Sequence, residues 1–394
     1  MHPLAAMWDL DPDTIYLNHG SFGPSPRPVR EAREAWTRRL EQQPMRFFCQ
    51  TMEEDLWKTS ETLAAFVGTQ PDRLALVDNA TIAMNIAAWS IPLQARDEIL
   101  LTDHEYGAVR NIWNSRIQGT GAVIRTATIP LPVTDAQAVE AVVSQLTEHT
   151  RVVVVSHITS PTACCLPVAE ICREAKARGI IVCVDGPHAL AARDLRLDEM
   201  GCDFYCASCH KWLCAPFGSG FLWAHPRHHA NLCVPLTSWG GSISGRPRTW
   251  QDRINWLGTR DPAPLLAIRD AVAFFSPDVL RQFRDHAHGL VAGVRQELLK
   301  IPGTGPFSTS NEEDFVCMVA IELPQPPDWK PGYHGKPDPL QIRLRDEFRI
   351  EAPVGSWGGR RYLRVSAHLY NTKAQMDLLV SAVRQCLAES IHAD

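Results

Sequence analysis

The sequence predicts an α/β protein, with a mostly parallel sheet in a large domain and a smaller α/β domain toward the C-terminus. Three observations predict it. Runs of strand length recur between helical stretches: Leu74–Val77, Glu98–Thr102, Arg151–Ser156, Ile180–Val184, Phe204–Ala207 and Gly220–Trp223. Most of these are apolar throughout, so they call for cover on both faces, as in a parallel sheet flanked by helices. After about residue 262 the pattern changes to a long helical stretch, Pro264–Lys300, followed by fewer strands. The chain has 394 residues and is 45% hydrophobic, enough to bury two cores. The expected division is residues 26–261 for the large domain and 1–25 with 262–394 for the small one.

Each element has a local cause. Glu54–Val67 places Leu56, Leu63 and Phe66 on one helical face and stops at Gly68, which tolerates the left-handed conformation at a helix end. Thr81–Trp89 reads as a helix following the first strand. Thr134 can cap a helix with apolar Val139, Val142, Val143 and Leu146. Pro167 opens a helix that Gly179 ends, leading directly into Ile180–Val184. Phe315–Ile321, Arg349–Ala352 and Tyr362–Ser366 read as strands of the smaller domain, and Thr372–Ser390 as the closing helix. The proline-rich stretch Pro324–Pro339, with Trp329 and Tyr333 inside it, reads as a solvent-exposed connection.

Composition excludes several classes. The net charge of -5 is spread over interspersed acids and bases, so a nucleic-acid partner is not expected. The aliphatic runs are too short to span a bilayer, so no membrane partner is expected either. Met1–Tyr16 lacks a basic patch followed by an apolar run, so a cytoplasmic location is expected. Of the twelve cysteines, Cys206 and Cys209 form a CxxC pair near Cys202, His210 and Cys214. No second pair follows at zinc spacing, so buried reduced thiols and no metal are the expectation.

The chemistry concentrates at strand ends. Asp185 in VDGPHA follows Ile180–Val184, and Lys211 in ASCHKW follows Phe204–Ala207, with Ser208 and His210 just ahead of it. The carboxyl ends of parallel strands are where open α/β sheets place ligands. A lysine amine can form a Schiff base with pyridoxal 5'-phosphate (PLP). A carboxylate can keep the pyridine nitrogen protonated, so that the ring accepts electrons. Either residue alone reads as an ordinary surface charge; together, with their flanking residues, they suggest this cofactor. Asn79, Ala80 and Thr81 leave a strand and enter a helix, offering free N–H groups and a dipole to a phosphate. Tyr106, in Asp103–His104–Glu105–Tyr106, could lie over a flat ring, or simply pack.

With those residues in view, the chain resembles the fold-type I PLP enzymes of aminotransferase class V, nearest to an isopenicillin N epimerase-like branch. The resemblance runs through YLNHGSFGPSP (Tyr16–Pro26), DNATIAMN, TDHEYGAV, VVVSHITSPT, VDGPHA, DFYCASCHKWLCAPFGSGFL, WLGTRDPAP and RYLRVSAHLYNT. It implies PLP fold type I, with Lys211 carrying the Schiff base and Asp185 pairing with the ring nitrogen. Tyr106 takes the stacking position, where desulfurases of the class carry His. Ala80, Thr81, Ser208 and His210 should hold the phosphate, with Thr259 reaching across from a second subunit, so a homodimer with shared active sites is expected. His188 should sit near the ring's phenolic oxygen, and His157 falls where desulfurases carry an Asn contacting the same region. Arg364 should bind the α-carboxylate of a small-molecule amino-acid substrate through a two-pronged contact. Asn18 and His19 fall in a segment lining the entrance in this branch. Arg46, Arg360 and Arg361 are candidates for a second anionic group on the substrate.

The reaction is narrowed by one absence. Desulfurases of the class use a mobile nucleophilic Cys ahead of the carboxylate-binding Arg, and Arg349–Arg364 contains none. Two outcomes stay open. In an epimerase, Lys211 removes the α-proton from one face, and Tyr106 or a water returns it on the other. In a carbon–sulfur lyase acting on a cysteine S-conjugate or sulfoxide, Lys211 takes the same proton and the β-sulfur departs. QPMRFF (Gln43–Phe48) and WLGTRD resemble the epimerase branch and favour the first. Aminotransferase and cysteine desulfurase chemistry stand lower. A PLP-fold regulator is disfavoured, because no residues are left over for a DNA-binding domain.

Overall fold

A computed structural model describes residues 2–308, 315–332 and 336–391; Tyr333 of the proline-rich stretch lies outside them. Thirteen strands are described among these residues: β1 (Ile15–Tyr16), β2 (Leu74–Val77), β3 (Glu98–Thr102), β4 (Val123–Ala127), β5 (Thr150–Ser156), β6 (Ile181–Asp185), β7 (Phe204–Ser208), β8 (Gly220–Ala224), β9 (Gly305–Pro306), β10 (Met318–Leu323), β11 (Ile350–Glu351), β12 (Val354–Trp357) and β13 (Arg360–Ser366).

Seven of them form one sheet in the order β2-β8-β7-β6-β5-β3-β4. Strands β7, β6, β5, β3 and β4 pair in parallel, while β8 is antiparallel to both β7 and β2. The sheet is therefore mostly parallel, as expected. The β7–β8 connection needs no crossover helix because the strands run in opposite directions. Alternate residues of a strand belong to two separate cores. Val153, Val155, Val182, Val184 and Tyr205 pack on one face, and Val152, Val154, Cys183, Phe204 and Cys206 on the other. Burial on both faces explains why these strands read as unbroken apolar runs.

The helices follow local signals. Thr134 closes a capping box with Gln137 on the helix Asp135–Val143. Gly68 takes a left-handed φ of 68° at the end of Met52–Val67. Pro264–Lys300 is not one helix but three: Ala263–Leu266, Ile268–Phe274 and Pro277–Leu298. Pro277 cannot continue a helix but is well placed to begin one, and the Ser276 side chain accepts from the Val279 N–H to cap it.

Toward the C-terminus, β12-β13-β10-β9 form a four-stranded antiparallel sheet. The expected strand Phe315–Ile321 begins later, at Met318, and β12 was not foreseen. Strand β1 pairs in parallel with β11, Ile15 opposite Ile350, which ties the N-terminal segment to the C-terminal region. The proline-rich stretch is more than a solvent-exposed connection. Trp329 Nε1 donates to Asp338 Oδ2 at 2.9 Å, and Asp338 is buried against Arg361. No helix among the described residues is long and apolar enough to cross a membrane.

Candidate active site

Lys211 follows the carboxyl end of β7, beside the carboxyl end of β6. Asp185 is the last residue of β6, rather than the first after it, and is 7% exposed. Lys211 leaves β7 in the loop toward β8, half-buried, with Nζ 2.7 Å from His188 Nε2. Burial lowers the lysine to about 7, opposed by the nearby Asp185 carboxylate and assisted by the Arg364 charge. Burial likewise pushes Asp185 up to about 6, with Lys211 pulling the other way. Each partner therefore offsets part of the other's cost of burial.

His188 is buried and held neutral, well below its usual range, first by burial and then by Lys211. A Lys211 N–H donates to its Nε2, which leaves the ring proton on Nδ1. That Nδ1 is buried without a partner. An orphan donor beside an amine suits an acceptor oxygen on a bound ring.

The helix Ala80–Ser90 starts at the same edge. Asn79 caps it by accepting from the Ile82 N–H at 3.0 Å, and the Ala80 N–H donates to Ser208 Oγ at 2.9 Å. The structure thus brings Ala80 and Ser208 together across 128 residues, with Thr81 in the first turn. Burial drives His210 down to about 4, and its Nδ1 is buried without a partner. A helix start, a hydroxyl and an orphan imidazole nitrogen suit a phosphate. With Lys211 and Asp185 beside them, the donor set fits PLP.

Tyr106 caps the start of the next helix, Gly107–Arg116, and is 51% exposed. Thr259 is exposed beside Arg260, whose guanidinium pairs with Asp78 of the same chain, at the mouth of that phosphate-suited helix. His157 sits differently. Its backbone N–H donates to the Asp185 carbonyl, while its ring Nδ1 bonds the Tyr205 hydroxyl at 2.9 Å. The imidazole borders a separate hollow of about 440 Å³ with Cys165 and Arg193.

Arg364 on β13 is 6% exposed. Its Nη1 donates to the Ser160 carbonyl at 2.6 Å, and its Nη2 to Asn18 Oδ1 at 3.1 Å and Ser21 Oγ at 2.6 Å. Its Nε is buried without a partner. Among the described residues no carboxylate neutralises it, so a buried positive charge faces only neutral oxygens. Such a charge is costly unless an anion meets it.

Three expectations need correction. His19 does not line an entrance: it is fully buried, bonded to the Tyr370 hydroxyl at 2.7 Å and to the Lys211 carbonyl at 3.1 Å. Arg361 and Arg360 are not free for a substrate anion, since Arg361 pairs with Asp338 and Arg360 with Glu322. Arg46, by contrast, is exposed, at the end of the short helix Pro44–Arg46 and just before the π-helix Phe47–Thr51.

Sequence reasoning passed over Ser21, Ser160 and Glu105. Glu105 is buried between Thr102 and Ser156, accepting from both hydroxyls and from the Ser156 N–H. Burial pushes it up to about 7 against those three donors. Ser156 is the register partner of Asp185, so Glu105 anchors the strand beside the site. Its place in DHEY, directly before Tyr106, was the available signal.

The Aminotransferase class-V family matches residues 16–330. Isopenicillin N epimerase of Streptomyces clavuligerus is 37% identical, with 95% of each chain covered. L-cysteine desulfhydrase of Arabidopsis thaliana is 23% identical, covering 95% of this chain and 88% of that protein. Among solved structures, the cystine C–S lyase C-DES with its product cysteine persulfide aligns with a TM-score of 0.81 at 21% identity, over 95% and 98% of the two chains. Apo cysteine desulfurase of Thermococcus onnurineus aligns with a TM-score of 0.82 at 18% identity, over 99% of each. A fold of type I and a site that fits PLP are thus joined to similarity along nearly the whole sequence, and the chain belongs to aminotransferase class V, as a PLP-dependent enzyme.

Proposed function

We propose that the protein is an epimerase or racemase acting at Cα of an amino acid, of the isopenicillin N epimerase kind. The observation that carries the substrate class is Arg364: a buried guanidinium with an unpartnered Nε and no carboxylate partner among the described residues. An α-carboxylate can take Nε and Nη2 together, with Asn18 and Ser21 as the acceptors it displaces or joins.

PLP, when bound, supplies an electron sink that acidifies the α-proton. Lys211 holds or moves that proton at Nζ, because burial leaves part of it as free amine near neutral pH. His188 accepts a hydrogen bond from Lys211 and fixes its direction. Asp185 keeps a carboxylate at the buried end of the site for the ring nitrogen. Tyr106, exposed at the mouth, or a water is suited to return the proton on the opposite face.

The 37% identity to the Streptomyces epimerase, over 95% of both chains, supports this reading over the lyase alternative. The named L-cysteine desulfhydrase and C–S lyase relatives favour that second reading at lower identity. Cysteine desulfurase chemistry is disfavoured: Cys317 is buried and burial raises its thiol well above the ordinary range. We also infer a cytoplasmic homodimer, with Thr259 serving the partner's phosphate site; a monomer with full activity in light scattering contradicts that. The deciding experiment incubates the PLP-loaded enzyme with a panel of L-amino acids, including one with a distal carboxylate. Chiral chromatography should show the opposite configuration at Cα, and release of pyruvate or sulfide in place of the epimer would overturn the epimerase in favour of the lyase.

A further inference from the structure

Behind Lys211 lies a second buried cluster, made of His19, Cys214, His368, Tyr370 and Trp212. The rings of His19 and His368 stack at 4.3 Å, and His19 also stacks on Trp212 at 5.0 Å. The His19, Cys214 and His368 ligand atoms lie within 4.8 Å of one another. Their geometry suits a metal poorly. A carbonyl only accepts, so His19 Nε2, 3.1 Å from the Lys211 oxygen, must carry the ring proton and has no lone pair to offer. The two imidazoles are nearly parallel, 18° apart, so one ion cannot lie in both ring planes.

The same tautomer assigns the other hydrogen bond. His19 Nδ1 is then the acceptor, and the Tyr370 hydroxyl donates to it at 2.7 Å. A directed chain results, from Tyr370 O–H to His19 and from His19 N–H to the Lys211 carbonyl. Burial holds His19 down to about 3, so the neutral form persists at working pH. Gly23 closes the same contact. A Cβ there would fall 2.4 Å from the Lys211 oxygen, 2.5 Å from the His210 oxygen and 2.7 Å from His19 Nε2. The segment lies flat on the Lys211 backbone, and only glycine allows it.

The segment has a second attachment. Asn18 and Ser21 accept from Arg364 Nη2, and Ser21 Oγ donates to Asn18 Oδ1 at 2.7 Å. Residues 18–23 therefore touch both the lysine and the arginine of the site. We propose that His19 is a positioning residue that fixes the direction of the Lys211 side chain through its backbone carbonyl, within a strap that links Lys211 to Arg364. The proposal rests on Lys211 being the working amine, and not on which product forms.

The test uses the full chain with His19→Phe, which keeps a flat ring but has no donor, His19→Gln, which restores an N–H donor, and Tyr370→Phe. The first readout is the pH midpoint for acylation of Lys211 by acetic anhydride in the apoprotein, read by mass spectrometry. Asp185, His188, His210 and Arg364 face that amine and are left intact. His19→Phe should raise the midpoint by about one pH unit as the amine gains solvent. In the loaded enzyme it should lower kcat by about tenfold with KM changed less than about threefold, and His19→Gln should recover most of both. Tyr370→Phe should move both in the same direction by less, and it serves where His19→Phe does not fold. An unmoved midpoint and kcat in a folded His19→Phe or Tyr370→Phe would overturn the proposal, as would His19→Gln behaving like His19→Phe. If wild-type Lys211 binds no PLP, the cofactor reading fails instead, and the midpoint still reports on the strap.

Discussion

Two buried clusters of titratable side chains meet at Lys211, and they differ in what burial does to them. In front, Asp185, His188 and Arg364 surround the lysine amine with opposed charges, an orphan His188 Nδ1 and an orphan Arg364 Nε. Behind, His19 and His368 are held neutral in a stack of aromatic rings, with the Cys214 thiol raised by burial. The front cluster keeps charges that only a ligand can fully pair. The rear cluster leaves His368 Nδ1 and Trp212 Nε1 unpaired but carries no charge. Buried histidines and cysteines, and single unpaired nitrogens, therefore do not mark chemistry by themselves; unmatched buried charge does.

Replacing Lys211 by Ala should have the largest effect. Activity should fall by about 10⁴-fold or more, and the cofactor's visible absorbance band should be lost while the fold survives. A variant that keeps the band would move the chemistry away from the front cluster.

Next comes Arg364→Ala. Loss of a two-pronged carboxylate contact should cost about 2–4 kcal/mol in kcat/KM. Arg364→Lys should recover little, because an ammonium cannot reproduce the planar fork. The cofactor should stay bound in both. Comparing an amino acid with its decarboxylated amine checks the assignment: equal kcat/KM in wild type would remove Arg364 as the anchor.

The pH prediction follows from the lowered lysine. Its charged form dominates below about 7 and the free amine above it. Acylation of Lys211 in the apoprotein should therefore rise with pH through about 7 and level off, whereas an ordinary lysine keeps gaining reactivity toward 10. A midpoint near 10 would mean that burial does not tune this amine.

The smallest effect belongs to the rear cluster. Cys214→Ala should lower stability by about 1–2 kcal/mol and leave cofactor loading and kcat within about threefold. Urea denaturation and absorbance titration measure the two separately. A lost cofactor with intact stability would show that the thiol takes part in the front cluster.

Much of this was legible in the sequence because its causes are local. Strands buried on both faces read as apolar runs, and β2 and β3 fall where those runs predict. Asp185, Ser208 and Lys211 were readable because each lies at or just after the carboxyl end of an apolar run. The rear cluster was not, because its contacts join distant segments. His19 meets Lys211 across 192 positions, and Asn18 meets Arg364 across 346. Nothing near His19 in sequence signals that it will be sealed beneath a loop rather than lining an entrance. The pairing of Arg361 with Asp338 escaped for the same reason, since a buried ion pair and two exposed charges look alike in sequence.

The most direct test of the central claim, proton movement at Cα through Lys211, is incubation of a substrate L-amino acid in D₂O with the loaded enzyme, followed by NMR. Deuterium should appear at Cα together with the D-isomer, with an intact side chain and no pyruvate, and neither product should form with Lys211→Ala. Conversion without deuterium at Cα, or exchange that persists undiminished in Lys211→Ala, would contradict that claim.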